Sequence, residues 1–244
     1  MRRFFVDPDR IAGGKALITD HEARHLRLVL RIRPGVQIDL FDGAGRIYQA
    51  EITRVGKSVV EARIISCREI ANEPPFLSLG RALLKGKKMD LVIQKATELG
   101  VTDIYPVRTQ NCAVQAPSAN QHLRWQRIAQ EACKQCGRPN PLICRPYLDF
   151  PEFLARTRQV SAKIMLWENE KSRHINYLAD LTPLKSLLLL IGPEGGFQNN
   201  ELELAVEYGF ISTSLGPRIL RAETAAITAI SISQFLLGNL EKEN

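Results

Sequence analysis

The apolar run Leu187-Leu188-Leu189-Leu190-Ile191 breaks off at Gly192-Pro193, and no other stretch of the chain limits the fold as strongly. Apolar residues without alternation suit a strand covered on both faces, as in a parallel sheet. Beyond it, Gly192-Pro193-Glu194-Gly195-Gly196-Phe197 is a loop whose glycines let backbone approach a ligand closely. Asn199-Asn200-Glu201-Leu202-Glu203 then offers an Asn cap, with Glu203 three residues beyond Asn200, and an apolar-rich helix ending at Gly209. The order repeats. A short strand over residues 210–214 leads into a second loop, Leu215-Gly216-Pro217-Arg218-Ile219-Leu220-Arg221, and a helix is expected from near Glu223 to about Leu237.

Neither loop is a Gly-x-Gly-x-x-Gly fingerprint and neither is followed by Lys-Ser or Lys-Thr, which disfavours ordinary dinucleotide and triphosphate sites. Two tight connections in an α/β sheet remain the plain structural reading. Upstream, a strand is expected at Leu77–Leu84, then the basic loop Lys85-Gly86-Lys87-Lys88 and an amphipathic helix Met89–Leu99 capped by Gly100. A strand at Ile104–Val107, a helix over 120–137 and a strand ending at Leu166-Trp167-Glu168 complete a mostly parallel sheet with helices on both faces. The last helix carries no charge from Ala225 to Leu237 and is apolar on most sides, so burial nearly all round is expected, through threading, a subunit interface or a simple core position.

Residues 1–70 differ in texture. Val36–Leu40 alternates, Asp42-Gly43-Ala44-Gly45 signals a turn, and β-rich segments follow at Ile47–Ile52 and Val59–Ile65, a meander able to close into a small barrel. Thirteen Lys and Arg stand against nine Asp and Glu there, so this piece holds four of the chain's seven net positive charges. Arg24, Arg27, Arg31 and Arg33 cluster where a short helix leads into Pro34-Gly35; they read either as an RNA-backbone footprint or as a solvated basic face. Lys85, Lys87 and Lys88 read likewise as phosphate contacts or a solubilising turn. Residues 71–76, around Pro74-Pro75, form the linker, and 77–244 the second domain.

The glycine loops, together with Ile219-Leu220-Arg221-Ala222-Glu223-Thr224-Ala225, resemble the cofactor-binding end of SPOUT-class RNA methyltransferases. Within that class the chain is similar to the RsmE family of 16S rRNA uracil-N3 methyltransferases. Met89-Asp90-Leu91, Lys95-Ala96-Thr97-Glu98-Leu99-Gly100-Val101, Gln135 with Arg138, and His25 with Val29-Leu30-Arg31 extend the likeness over nearly the whole chain. The resemblance implies a trefoil-knotted α/β domain binding S-adenosyl-L-methionine, a preceding PUA-like β-barrel domain that contacts RNA, and a homodimer. It implies methylation of uridine 1498 in 16S rRNA of the small ribosomal subunit.

The cofactor contacts so implied are Leu166, Gly192, Pro193, Glu194, Gly195, Gly196, Leu215, Gly216, Ile219, Leu220 and Thr224. The neutral imide nitrogen of uracil must lose its proton to attack a methyl group, so a base or strong electrostatic help is required. Arg221 is the leading cation for the developing uracil anion, joined by Arg138 from the partner subunit, and Glu194 or Glu223 takes the proton. Each glutamate has a plainer role: Glu223 at the start of the last helix and Glu194 tying down its loop.

The remaining signals bound these readings. A formal net charge of +7 and a pI near 9.3 favour a polyanionic partner. No apolar run approaches the roughly 18 residues of a membrane span, and the N-terminus is unlike a signal peptide, so a cytoplasmic protein is expected. Five cysteines, an odd count, argue against a disulfide framework; Cys133 and Cys136, near a helix C-terminus, read as packing or surface thiols rather than a redox or zinc pair. His21-Glu22-Ala23-Arg24-His25 matches the H-E-x-x-H pattern of zinc metalloproteases but lacks a recognisable third ligand, and no metal is expected. A non-catalytic RNA-binding ribosome factor stands beside these as a further alternative.

Overall fold

The computed structural model describes residues 3–71, 74–114, 116–181 and 183–240. Two compact units emerge: Met1–Asn72 with Gln130–Pro141, and Glu73–Ala129 with Leu142–Asn244. Asn72 and Glu73, inside the expected linker, lie outside the described residues.

In the first unit, β1 (Arg3–Phe5), β2 (Ile11–Ala12), β3 (Lys15–Thr19), β4 (Gln37–Phe41), β5 (Arg46–Val55) and β6 (Val59–Glu69) form one sheet in the order β1-β4-β5-β6-β3-β2. Only the β1–β4 pairing is parallel, and β1 and β2 share no ladder among the described residues. The alternation read in the sequence places Ile38, Leu40, Ala50, Ile52, Val60 and Ala62 in one apolar core with Phe4, Ala16 and Ile18. Asp42 makes the predicted turn: its carboxylate accepts the Ala44 N–H at 2.8 Å and the Arg46 N–H at 3.1 Å, with Gly43 and Gly45 at positive φ. The short helix expected near Arg24 is α1 (Asp20–Arg24), which widens into a π turn over His25–Val29 closed by Leu30 N–H on the His25 carbonyl.

In the second unit, β7 (Phe76–Ala82), α2 (Lys88–Glu98), β8 (Asp103–Arg108), α3 (Ala119–Cys136), β9 (Ile143–Cys144), β10 (Leu148–Asp149), α4 (Phe150–Arg156), β11 (Ala162–Leu166), β12 (Ser186–Ile191), α5 (Asn199–Glu207), β13 (Ile211–Thr213) and α6 (Ala222–Leu236) follow in chain order. The sheet order is β10-β8-β7-β12-β11-β13, with β9 also beside β8, and every pairing is parallel. The end of α3, from Gln130, belongs to the first unit.

The unbroken apolar run of β12 has its explanation here. Leu187, Leu189 and Ile191 pack on one face with residues of α2 and α6, while Leu188 and Leu190 pack on the other with Phe153 of α4 and Ala205 of α5. A strand roofed on both sides favours apolar residues at successive positions rather than alternation.

Two details depart from expectation. The cap of α5 is Gln198 rather than an asparagine, in a reciprocal capping box with Glu201, whose carboxylate accepts the Gln198 N–H at 2.9 Å. Moreover, α6 is not buried nearly all round. Ala226, Ala229, Ile230, Ser233 and Gln234 are buried where α6 packs on α2, β12 and the 3-10 turn Ile175–Leu181, but Phe235 is 69% exposed within the single chain. No helix among the described residues is long and apolar enough to cross a membrane.

Candidate active site

Because all strands of the second sheet run parallel, the loops after β7, β8, β11, β12 and β13 leave the same edge, where open α/β sheets bind ligands. The two glycine loops leave from β12 and β13, and Leu166 ends β11 in the same register as Ile191 and Thr213.

The first loop is held by residues that carry no local sequence signal. Arg81, in β7 opposite Ile191, is fully buried; its guanidinium donates to the Ile191 carbonyl at 2.9 Å and to the Gly192 carbonyl. Burial pushes Arg81 down to about 10, resisted by the negative charge of Glu194, then Cys112 and Glu223, so it stays cationic at neutral pH. Its Nε and Nη2 have no hydrogen-bond partner. Asn111, after β8, donates to the carbonyls of Gly195 (2.8 Å) and Gly196 (3.2 Å) and accepts from Gln198 Nε2 (2.9 Å). Gln110 N–H reaches Glu201 at 2.9 Å, tying the segment after β8 to the first turn of α5.

The glycines serve this packing directly. A Cβ on Gly196, at φ +66°, would stand 2.1 Å from the Glu168 carboxylate, and one on Gly192 would meet the Phe197 ring at 2.9 Å. Gly216, at φ +106°, has nothing within 4 Å of its Cβ position, so the second loop leaves its backbone open to a ligand.

Four charges converge beside the first loop. Lys88, the first residue of α2, places Nζ 3.0 Å from Glu194 Oε1 and 3.8 Å from Glu223 Oε2. Glu194 Oε1 also accepts the Lys85 N–H at 3.4 Å. Burial pushes the Glu194 carboxyl up, but the Lys88 ammonium and the backbone N–H groups of Glu194 and Lys85 outweigh it and hold it low. Glu223 Oε2 is sealed from solvent without any hydrogen bond. Arg221 is the exposed N-cap residue of α6, with Thr224 exposed, Leu220 half-buried and Ile219 90% exposed.

The second loop is anchored by a polar cluster that no motif announced. His174 Nδ1 lies 2.8 Å from Ser214 Oγ, and Glu170 accepts from the hydroxyls of Ser212 and Ser172. The Ser172 hydroxyl first, then that of Ser212 and the Ser172 N–H, hold the Glu170 carboxyl at about 2 against an ordinary 4.5. A carboxyl lowered on folding contributes stability above its unfolded value and loses it as pH falls through the folded one. Glu170→Gln is therefore expected to melt below wild type at neutral pH, with the gap closing between about pH 4.5 and pH 2. Thermal unfolding across that range measures it, and a gap independent of pH would assign the loss to something other than the charge.

The remaining sequence-chosen residues lie elsewhere. Lys85 and Lys87 are exposed. In the first unit, Arg24, Arg31 and Arg33 are exposed and, among the described residues, paired with no carboxylate; Arg31 stands at φ +48°, a strained value for a side-chain-bearing residue. Arg138 belongs to the same unit and is pushed down by burial, opposed by Cys133 and Cys136. Hydrogen bonding to Cys136, together with burial, pushes the Cys133 thiol far up, which is inert chemistry. His21, Glu22 and Glu131 each bring a ligand atom within 4.8 Å of the others, but Lys134 pairs with both carboxylates and His25 packs edge-on to Phe4 instead. The His21 and His25 rings of the H-E-x-x-H pattern lie 6.3 Å apart, centroid to centroid.

A parallel sheet with paired glycine loops and converging charges at its carboxyl edge defines a cofactor-dependent enzyme of the α/β class. Residues 72–234 match the RNA methyltransferase domain family and residues 18–65 the RNA methyltransferase PUA domain family. The Ribosomal RNA small subunit methyltransferase E of Buchnera aphidicola subsp. Schizaphis graminum is 34% identical over 222 residues, 88% of each chain. That of Rickettsia conorii is 32% identical, over 93% of this chain and 91% of its own. The crystal structure of Ribosomal RNA small subunit methyltransferase E from Neisseria gonorrhoeae bound to S-adenosyl methionine is 36% identical, with a TM-score of 0.88 over 99% of this chain and 100% of that one. This chain belongs to the ribosomal RNA small subunit methyltransferase E family.

Proposed function

We propose that this enzyme transfers the methyl group of S-adenosyl-L-methionine to N3 of a uracil in 16S rRNA, uridine 1498 by its resemblance, in the small ribosomal subunit. The observation that carries the reading is the meeting of both glycine loops with Lys88, Glu194, Glu223 and Arg81 at one sheet edge. The residues fit the cofactor: Gly216 leaves open backbone, Leu166, Leu215, Ile219 and Leu220 offer apolar walls for adenine, and Gly192, Pro193, Gly195 and Gly196 form a loop pinned from behind. Carboxylates suit a sulfonium cation. When bound, the cofactor supplies a methyl group activated by that positive sulfur.

This chain's own residues then have two tasks at uracil N3. One is to accept its proton, which we assign to Glu223, since Glu194 is tied by hydrogen bonds to Lys88 and the Lys85 N–H whereas Glu223 meets Lys88 only at 3.8 Å and its side chain keeps 15% exposure. The other is to steady the negative charge left on the ring, which we assign to Arg221 with Arg138 of a second copy. Glu194 is then the loop anchor. Exposed Ile219 and Phe235 leave apolar surface that a homodimer would cover. The trefoil knot that the resemblance implies is assigned to this C-terminal part of the sheet, where the chain crosses from β12 past β11 to β13. The Arg24, Arg27, Arg31 and Arg33 segment, with Lys85 and Lys87, is assigned to the RNA backbone, and the enzyme to the cytoplasm where small subunits are found.

The test is transfer of radiolabelled methyl from S-adenosyl-L-methionine to small subunits lacking the modification, with the labelled nucleoside identified after digestion. Label in 3-methyluridine is expected. Label in another nucleoside would sink the uracil assignment while leaving the fold and cofactor intact.

A further inference from the structure

Three lysines stand in sequence where the chain enters α2, and the sequence alone treats them alike as phosphate contacts or a solvated turn. The structure separates them. Lys85 and Lys87 are exposed, whereas Lys88 is half-buried and reaches two carboxylates from distant parts of the chain. One follows β12 and the other opens α6. Its contacts thus go to protein carboxylates, one by a hydrogen bond and one by an ion pair.

We propose that Lys88 is a positioning residue: its ammonium holds the Glu194 and Glu223 carboxylates side by side as two separate anions, and so divides loop anchoring from proton transfer. The inference rests on the assignment of Glu223 as proton acceptor. Two carboxylates in one partly buried site repel, and without a cation between them one takes up a proton. The contacts are unequal. Lys88 donates a hydrogen bond to Glu194 at 3.0 Å but meets Glu223 only at ion-pair distance, 3.8 Å, leaving that oxygen without a donor. One carboxylate is thereby tied to its loop by a hydrogen bond, while the other is held only by the longer ion pair.

The charged and titratable groups around the pair are Arg81 from β7, Cys112 from the loop after β8, Lys88 from α2 and the carboxylates themselves. Arg81 is sealed in place by the Ile191 and Gly192 carbonyls. Lys88 is therefore the adjustable cation of the set.

The test compares wild type, Lys88→Gln and Lys88→Arg in three measurements. The first is the titration of Glu194 and Glu223 by carboxyl carbon NMR in the cofactor-free protein, assigned with Glu194→Gln and Glu223→Gln. The second is the pH dependence of kcat for methyl transfer, and the third the salt dependence of affinity for a uracil-containing RNA oligonucleotide. In Lys88→Gln one carboxyl should titrate about one pH unit higher, because an opposite charge within hydrogen-bonding distance is gone. The acid limb of kcat should follow it upward, Lys88→Arg should restore both, and the salt slope should stay at the wild-type value. Carboxyl titrations that do not move overturn the proposal, as does a salt slope reduced by about 0.7, the mark of one lost phosphate contact on a single strand. A carboxyl titration that moves while the acid limb does not upholds the role of Lys88 in holding the pair and overturns instead Glu223 as the proton acceptor.

Discussion

Glu223→Gln is expected to lower kcat for methyl transfer by about 10²–10⁴-fold, the usual contribution of a positioned base, while cofactor affinity stays near wild type. Glutamine keeps the shape of the side chain and removes only its capacity to take a proton. The plainer role for Glu223, favourable charge in the first turn of α6, is worth about 0.3–1 kcal/mol of stability and would leave the chemical step untouched. Single-turnover transfer to unmodified small subunits, run beside urea unfolding, separates the two. A large kinetic loss with little change in stability supports the base. Unchanged single-turnover rates would return proton transfer to Glu194, which Lys88 holds more tightly.

Arg81→Met is expected to cost about 2–4 kcal/mol of stability and to weaken cofactor binding together with it. Methionine fills much of the same volume but donates nothing to the buried Ile191 and Gly192 carbonyls, and it leaves Glu194 and Glu223 without their sealed counter-charge. Removing the orphaned Nε and Nη2 offsets part of that cost. Buried ion pairs replaced whole by apolar groups often break even, but here only one side is removed, and the unpartnered remainder decides the sign. Urea midpoints report the stability change, and calorimetric titration with S-adenosyl-L-methionine reports the binding. A variant as stable as wild type would show that the loop carbonyls find other donors.

The two predictions draw on different kinds of legibility. Glu223 was visible in the sequence because it stands in a contiguous motif at a helix start, a position whose electrostatics are local. Arg81 was invisible: an arginine inside an apolar strand has no motif, and its partner carbonyls are about 110 residues away. Asn111, 84 residues from Gly195, and His174, 40 from Ser214, were missed for the same reason. Spacing groups Lys88 with Lys85 and Lys87, since it cannot distinguish a lysine that folds back onto two carboxylates from one that faces solvent. The charge-free stretch of α6 from Ala225 predicts burial nearly all round because hydrophobicity reports what must leave water, whether within this chain or against a second copy.

By itself the sequence determined the second domain's layered α/β plan, its parallel sheet, the two glycine loops and the alternating strands of the first domain. These follow from periodicity and from backbone conformations that only glycine tolerates, both local properties written every few residues. Only the tertiary structure decided which side chains hold the loops, that Lys88 joins Glu194 to Glu223, and that Gln130–Pro141 belongs with the first unit. Those are contacts between segments far apart in the chain, and their energy comes from desolvation and charge pairing that exist only once the sheet has brought its strand ends to one edge.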